Sequence, residues 1–514
     1  MESELIEFAL EQQRRFDTCS SARERKEAGH FGTPLSIADF MAGMFAQRPR
    51  PAIRILDPGA GVGTLSAGVC ARILRENGTC SVYFELWENN PKVEPYLRKT
   101  MERCRTALEQ AGHRMEYAVR SEDFILGNTR ESLFDAGPIP SFDWAILNPP
   151  YYKVRKDSPQ ASVMAHVVHG QPNIYVLFMA VAADLLVPGG QMVAITPRSY
   201  FNGLYFNRFR KWFFDRLAAR RIHVFESRTD AFRDDAVLQE NVILLAEKGG
   251  DPRGVTLSSS PGRDFHGTTS CVVPYRQVVA PGGAGCIVRV TANQIEHDIV
   301  AAMEALPHRL RSLGLEVSTG PVVTFRSTEF LRDERADDTA PLLWMHNVRP
   351  FRTHFVRRNG KPSHIAVRED SKRLLVPAKR YVLLKRFTAK EERRRLVAGV
   401  LEATDSYSPW IGLENHLNYL YRTGAELSRS EAMGLAAFFN SGIVDRYFRT
   451  ISGNTQVNAT EVRAMPLPDR QTLLEIGESM EAASPRDDFA IEHVVGRFLR
   501  LSQGLIEQIC ECVP

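Results

Sequence analysis

Between Arg54 and about Lys248, short runs of β-branched and other apolar residues alternate with longer stretches whose apolar positions recur every three or four residues. The first pattern is that of buried strands and the second that of amphipathic helices, so this part of the chain predicts an α/β fold with a parallel sheet covered by helices. The pattern predicts strands at 54–57, 82–87, 144–147, 192–196, 223–225 and 242–246, and helices at 63–77, 90–111, 173–186 and 207–220. The rhythm then breaks. Gly249-Gly250, Ser258-Ser-Ser-Pro261 and Pro281-Gly-Gly283 predict a boundary region holding at most short strands. The resulting plan is a first domain over 1–250, a linker region over 251–273 and a second domain over 274–514.

Composition narrows the class without naming a function. The 514 residues are 44% hydrophobic and 25% charged, the profile of a globular protein and not of collagen, a coiled coil or a disordered chain. Met1 to Phe16 lacks an apolar core for a signal peptide, and the apolar run Tyr175 to Val187 is interrupted by Asp184 and shorter than the ~20 residues a bilayer requires. The expectation is a cytoplasmic protein that spans no membrane. The eight cysteines form no CxxC pair and no Cys/His set with zinc spacing, so no metal site is expected. Net charge is only +4, but it is unevenly placed: residues 346–395 hold sixteen Lys or Arg against four Asp or Glu. Trp344, Phe351, Phe355, Tyr381 and Phe387 interleave with or border that stretch. A basic strip with aromatics suits a nucleic-acid backbone with bases beside it.

Four signals carry chemistry. Ile55-Leu-Asp-Pro-Gly-Ala-Gly-Val-Gly-Thr-Leu65 runs from a strand through a glycine turn into a helix. Gly59, Gly61 and Gly63 let a ligand approach the backbone, while a carboxylate at Asp57 beside Pro58 disfavours a pyrophosphate and favours a cationic cofactor. Glu88, at the end of the next strand, can accept from both ribose hydroxyls. Asp123 and Phe124, where a third strand should end, offer an amino-group acceptor and a flat face for adenine. The most specific motif is Asn148-Pro149-Pro150-Tyr151, directly after an apolar strand. Two prolines fix the backbone and remove two N–H donors, leaving the Asn148 side-chain oxygen and the Pro149 carbonyl to converge on one planar amino group. Tyr151 then offers a stacking face. These residues leave several amino substrates open: an adenine in DNA, an adenine in RNA, or a protein glutamine amide.

In this order the motifs resemble the γ-class DNA adenine-N6 methyltransferases, the TaqI-like and PstI-like modification methylases. The resemblance implies a Rossmann-like S-adenosylmethionine-binding catalytic domain followed by a C-terminal α+β target-recognition domain. Phe31-Gly-Thr33-Pro34 resembles the family's N-terminal cofactor motif, placing Thr33 and Pro34 at the methionine end of the cofactor. Asp57, Pro58, Gly59, Gly61, Glu88, Asp123 and Phe124 match the cofactor positions, and Asn148 to Tyr151 the catalytic ones. Phe31 and Phe232 would touch the flipped adenine. Residues 195–203 and 237–241 resemble the XhoI-like members, which implies a palindromic hexamer containing adenine, and residues 438–468 resemble the end of the recognition domain. Double-stranded DNA is the expected partner, with Arg357, Arg358, Lys385 and Arg386 as candidate contacts. A restriction endonuclease is expected as a separate chain, since no nuclease constellation is visible.

Overall fold

The computed structural model describes residues 2–19, 32–46, 51–129, 141–170, 172–225, 241–282, 285–291, 294–358, 360–388, 392–452, 456–483 and 487–511. The chain divides into two compact units, Met1–Ala292 and Asn293–Pro514.

The first unit is built on a nine-stranded sheet. In chain order its strands are β1 (Ala52–Pro58), β2 (Ser81–Trp87), β3 (Arg114–Arg120), β4 (Phe142–Leu147), β5 (Leu186–Pro197), β6 (Leu217–Phe225), β7 (Asn241–Lys248), β8 (Gly254–Ser260) and β9 (Thr269–Pro274). Their order in space is β3-β2-β1-β4-β5-β7-β6-β8-β9. Alternate residues feed two cores: Ile55, Phe84, Ile146 and Ile195 on one face, Leu56, Leu147, Ala194 and Leu244 on the other. The helix Ile174–Leu185 is apolar almost all round because it is buried in the second core, with Val176, Met179 and Ala180 fully covered. No described helix is long and apolar enough to cross a membrane.

The sheet departs from the expected one at three places. It is mixed, because β7 runs antiparallel to both β5 and β6; an apolar run specifies burial but not direction. The helix expected over 207–220 ends at Phe214, and Leu217 already begins β6. Pairing with β7 and β8 there overrides the helical preference of the Ala-Ala-Arg-Arg run. The stretch assigned to a linker and the start of a second domain instead forms β8 and β9, which extend the same sheet, and the division of the chain falls at Ala292 and Asn293. Buried polar contacts fix this extension: His223 of β6 sits with Nδ1 2.9 Å from Ser258 Oγ and Nε2 3.1 Å from Ser260 Oγ. β9 is the outer strand, largely exposed, with Val272 at 74%.

The second unit is α+β. A four-stranded sheet runs in the order Leu315–Thr319, Leu417–Arg422, Tyr381–Lys385, Ala398–Leu401, beside a five-stranded sheet that includes Thr339–Leu343, His364–Ala366 and Trp410–Leu413. Helices Arg429–Asn440, Gly442–Ile451, Arg470–Ala482 and Asp488–Phe498 follow. The first and third of these cross at Gly434 and Gly477, where an added Cβ would lie 1.9 Å from the Leu473 carbonyl oxygen and 1.8 Å from that of Ser430. The fully buried Glu492 carboxylate accepts from Ser441 Oγ at 2.7 Å and the Ile443 N–H at 3.2 Å, so it caps the helix that begins at Gly442.

Candidate active site

Parallel strands deliver their carboxyl ends to one edge of the sheet, and the sequence places its motifs there. β1 and β2 pair in register from Ala52 with Ser81 to Pro58 with Trp87, so Asp57 and Glu88 come to adjacent strand ends. The turn after β1 takes left-handed conformations at Gly59 (φ 72°), Gly61 (φ 55°) and Gly63 (φ 88°). A side chain at Gly61 would project into open space, and at Gly63 it would collide with Leu97 at 2.9 Å. Gly61 is thus needed for the turn and leaves room for a ligand, whereas Gly63 is needed for helix packing.

These ends frame a cavity of about 460 Å3. Gly32 and Thr33, Gly59 to Val62, Glu88 to Pro91, Glu122 to Phe124, and Asn148 and Pro150 lie along it. Glu88 is nearly buried; its Oε2 accepts from the Gly61 N–H at 3.0 Å and its Oε1 from the Asn90 N–H at 2.8 Å. Asp123 Oδ1 caps the short helix Phe124–Asn128 through the Leu126 N–H at 2.9 Å, and its Oδ2 accepts from Gln160 Nε2 at 3.0 Å. The Phe124 ring lies 5.5 Å from Trp87 and 5.2 Å from Phe178, an aromatic wall at that end.

Asp57 is fully buried behind the glycine turn, where Ser66 Oγ donates to its Oδ2 at 2.6 Å. Its other oxygen, Oδ1, is buried and has no hydrogen-bond partner among the described residues. Burial, and secondarily the nearby Glu88, push this carboxyl up to about 7. A buried acid with an unsatisfied oxygen beside a glycine cradle is the complement of a cationic ligand, so the residues present fit a sulfonium nucleoside carrying an amino acid.

At the mouth of the cavity Asn148 follows β4 directly. Its Nδ2 donates to Thr33 Oγ1 at 2.9 Å, and its Oδ1 accepts from the Tyr151 hydroxyl at 2.7 Å. That hydroxyl also lies 3.0 Å from the Ile195 carbonyl oxygen. The two contacts fix the orientation of the amide, with nitrogen toward Thr33 and oxygen toward Tyr151. The Tyr151 hydroxyl is held well above the ordinary phenol range by burial, with Tyr175 adding to the effect, so it remains a donor.

The motif residues therefore assemble, with some exceptions. Pro34 caps the helix Leu35–Met44 through its carbonyl, which accepts from the Ala38 N–H at 3.0 Å, and neither it nor Asp57 or Pro58 lines the cavity. Phe31 and Phe232 lie outside the described residues. Gln13, from helix Glu2–Thr18, and Tyr152 both line the cavity and carried no sequence signal; Phe178 was readable only as part of an apolar helix. In the second unit Arg357 and Arg358 are exposed. Arg386 instead donates to the Asn415 carbonyl at 2.9 Å and to Gln456 Oε1 at 3.2 Å, and Lys385 is half-buried, its ammonium lowered by burial and by Arg349. Among the described residues no group of three or more His, Cys, Asp or Glu is placed to hold a metal ion.

A sheet of this order with a glycine cradle, two acidic strand ends and an oriented Asn-Pro-Pro-Tyr turn defines an S-adenosylmethionine-dependent methyltransferase acting on a planar amino group. The model of the Eco57I restriction-modification methylase family matches residues 83–232. The type II methyltransferase M.BsuBI of Bacillus subtilis is 35% identical, covering 89% of this chain and 90% of its own. The type II methyltransferase M.PstI of Providencia stuartii is 34% identical over 93% and 94%. Among solved structures, the type IIL restriction-modification enzyme MmeI in complex with DNA aligns at a TM-score of 0.48 and 10% identity, covering 99% of this chain and 72% of that one. The chain belongs to the type II DNA adenine-N6 methyltransferases.

Proposed function

We propose that this protein transfers a methyl group from S-adenosylmethionine to the exocyclic N6 of adenine in duplex DNA, with the oriented Asn148 amide as the group that carries the reaction. When bound, the cofactor supplies an electrophilic methyl group on a cationic sulfur. Asp57 and the glycine turn balance that cation, Glu88 takes the ribose hydroxyls, and Asp123 with Phe124 takes the cofactor adenine. At the substrate, Asn148 Oδ1 and the Pro149 carbonyl oxygen accept the two N6 hydrogens. Accepting both draws the nitrogen lone pair out of conjugation with the ring and aims it at the methyl group, so no general base is needed before attack; the proton that the methylated nitrogen then sheds passes to water. Thr33 and Tyr151 hold the amide in that orientation. The Tyr151 ring gives the flipped base a stacking surface, with Phe31 and Phe232 as its further contacts. The exposed Arg357 and Arg358 are the phosphate contacts, and the partner restriction endonuclease is a separate chain.

The experiment is transfer of labelled methyl groups to duplex DNA followed by digestion to nucleosides. N6-methyladenine is expected; methylcytosine, or a product confined to RNA or protein, would overturn the reading.

A further inference from the structure

The catalytic edge of the first unit carries a segment that the reaction above does not use. It begins at Tyr152, next in the chain to Tyr151, and runs through the short helix Pro159–Val163 to Gly170. It lies outside the sheet, yet its backbone is tied down. The Val154 N–H donates to the Pro172 carbonyl at 2.8 Å, the Ile174 N–H to the Tyr152 carbonyl at 2.9 Å, and Arg208 Nη1 to the Ala165 carbonyl at 2.8 Å. Val154, Met164 and Val167 anchor it in the core. Its surface is cationic: Lys153, Arg155 and Lys156 are exposed, and the one carboxylate between 152 and 170, Asp157, is paired with Arg155 at 3.1 Å. Against Gly170 stands Tyr205, 73% exposed, its ring 4.0 Å from where a Cβ at that glycine would lie. The adjoining Phe206 stacks on Tyr175 at 6.0 Å, and Tyr175 meets the Tyr151 ring edge-on at 6.3 Å. The exposed ring thus follows directly on a chain of aromatic contacts that starts at the catalytic motif.

Resting on the DNA-methyltransferase reading above, we propose that this segment is a DNA contact on the catalytic unit itself: Tyr205 enters the base stack where the target adenine leaves it, and Lys153 and Lys156 hold the phosphates beside it. A base withdrawn from a duplex leaves an unpaired partner and two neighbours that have lost a stacking face. An aromatic ring can cover those faces whatever the bases are, because every base has one. Tyr175 and Tyr200, on the same edge, are buried and pack the core; Tyr205 is bare and is free to take such a place. The lysines draw the polyanion to this margin. No carboxylate opposes them unpaired: Asp157 is held by Arg155, and Asp123, which lines the cofactor cavity with Tyr152, is engaged by the Leu126 N–H at 2.9 Å and Gln160 Nε2 at 3.0 Å.

The test uses two duplexes carrying the site that the wild-type protein methylates, mapped by sequencing that detects N6-methyladenine. In one the target adenine is paired with thymine; in the other it faces an abasic position, so that little has to be broken to withdraw it. Tyr205→Ala should lower kcat/KM on the paired duplex by about tenfold or more and match wild type on the abasic one, whereas Tyr205→Phe, which keeps the ring, should stay within about threefold on both. Lys153→Gln and Lys156→Gln should each lower the log–log salt slope of DNA binding by about 0.9. Cofactor affinity, read by calorimetry, should equal wild type in all four and reports folding. Wild-type rates for Tyr205→Ala on the paired duplex, an equal loss on both duplexes, weakened cofactor binding in that variant, or an unchanged salt slope in both lysine variants overturns the inference. Absence of N6-methyladenine with the wild-type protein overturns the functional reading instead.

Discussion

At the scale of single residues, the proposed reaction rests on one amide that is held from both sides. Asn148→Ala should reduce the methyl-transfer rate by about a hundredfold or more, because an acceptor matched to the transition state is lost, while cofactor affinity measured by calorimetry stays within about twofold. Thr33→Val and Tyr151→Phe each remove one tether, worth ~1 kcal/mol, and should slow single-turnover transfer by about fivefold. Asp57 gives a proton-linked signature. Its carboxyl is pushed up to about 7, so below that pH the free protein holds a proton that a cationic ligand must displace. Cofactor affinity should rise with pH and level off above about 7, with proton release visible as a buffer-dependent binding heat, and Asp57→Asn should flatten the profile. The residues legible in the sequence, Glu88, Asp123 and Asn148, stand at strand ends within local motifs. Gln13 and Tyr152 were not, because they reach the cavity through packing and loop geometry that no local pattern encodes.

At the scale of elements, two contacts decide whether the architecture holds. The crossing of helices Arg429–Asn440 and Arg470–Ala482 leaves no space at Gly434, where a methyl group would overlap the Leu473 carbonyl. Gly434→Ala should cost about 3 kcal/mol and lower the melting temperature by roughly 10 °C. His223, buried between Ser258 and Ser260, is pushed down to about 4 by burial, with Arg221 adding to it. Its folded value lies below the ordinary 6.5, so its contribution is complete above pH 6.5 and is lost as the pH falls toward 4, approaching roughly 3 kcal/mol. Melting followed from pH 7 to 4.5 should show this loss, and His223→Gln should weaken the dependence. The same histidine bears on why the sequence pattern does not reveal β8. The serines and glycines of 249–285 carry the signature of a boundary, and only pairing of β8 with β6, and of β9 with β8, makes strands of them. Strands β1, β2 and β4 were legible because their apolar alternation is strong enough to specify burial unaided.

At the scale of the whole molecule, the two units have separate cores, and charge follows the division. The stretch 346–395 is strongly basic although the chain carries only +4. Substituting Arg357 and Arg358 together with Gln should weaken DNA binding and lower its salt slope by about 1.8, with cofactor affinity unchanged. Arg386→Gln should act mainly on thermal stability, since its guanidinium is engaged with Asn415 and Gln456. Charge density was legible in the sequence; which cations are spent within the fold was not. The extended sheet has one more consequence. It ends at β9, whose outer edge pairs with no strand among the described residues and which exposes Val272, and such an edge is a template for another strand. Concentrated preparations should accordingly self-associate through that margin. A lysine placed at Val272 should suppress the association seen by light scattering and leave methylation intact, making this position a handle on solubility that is independent of catalysis.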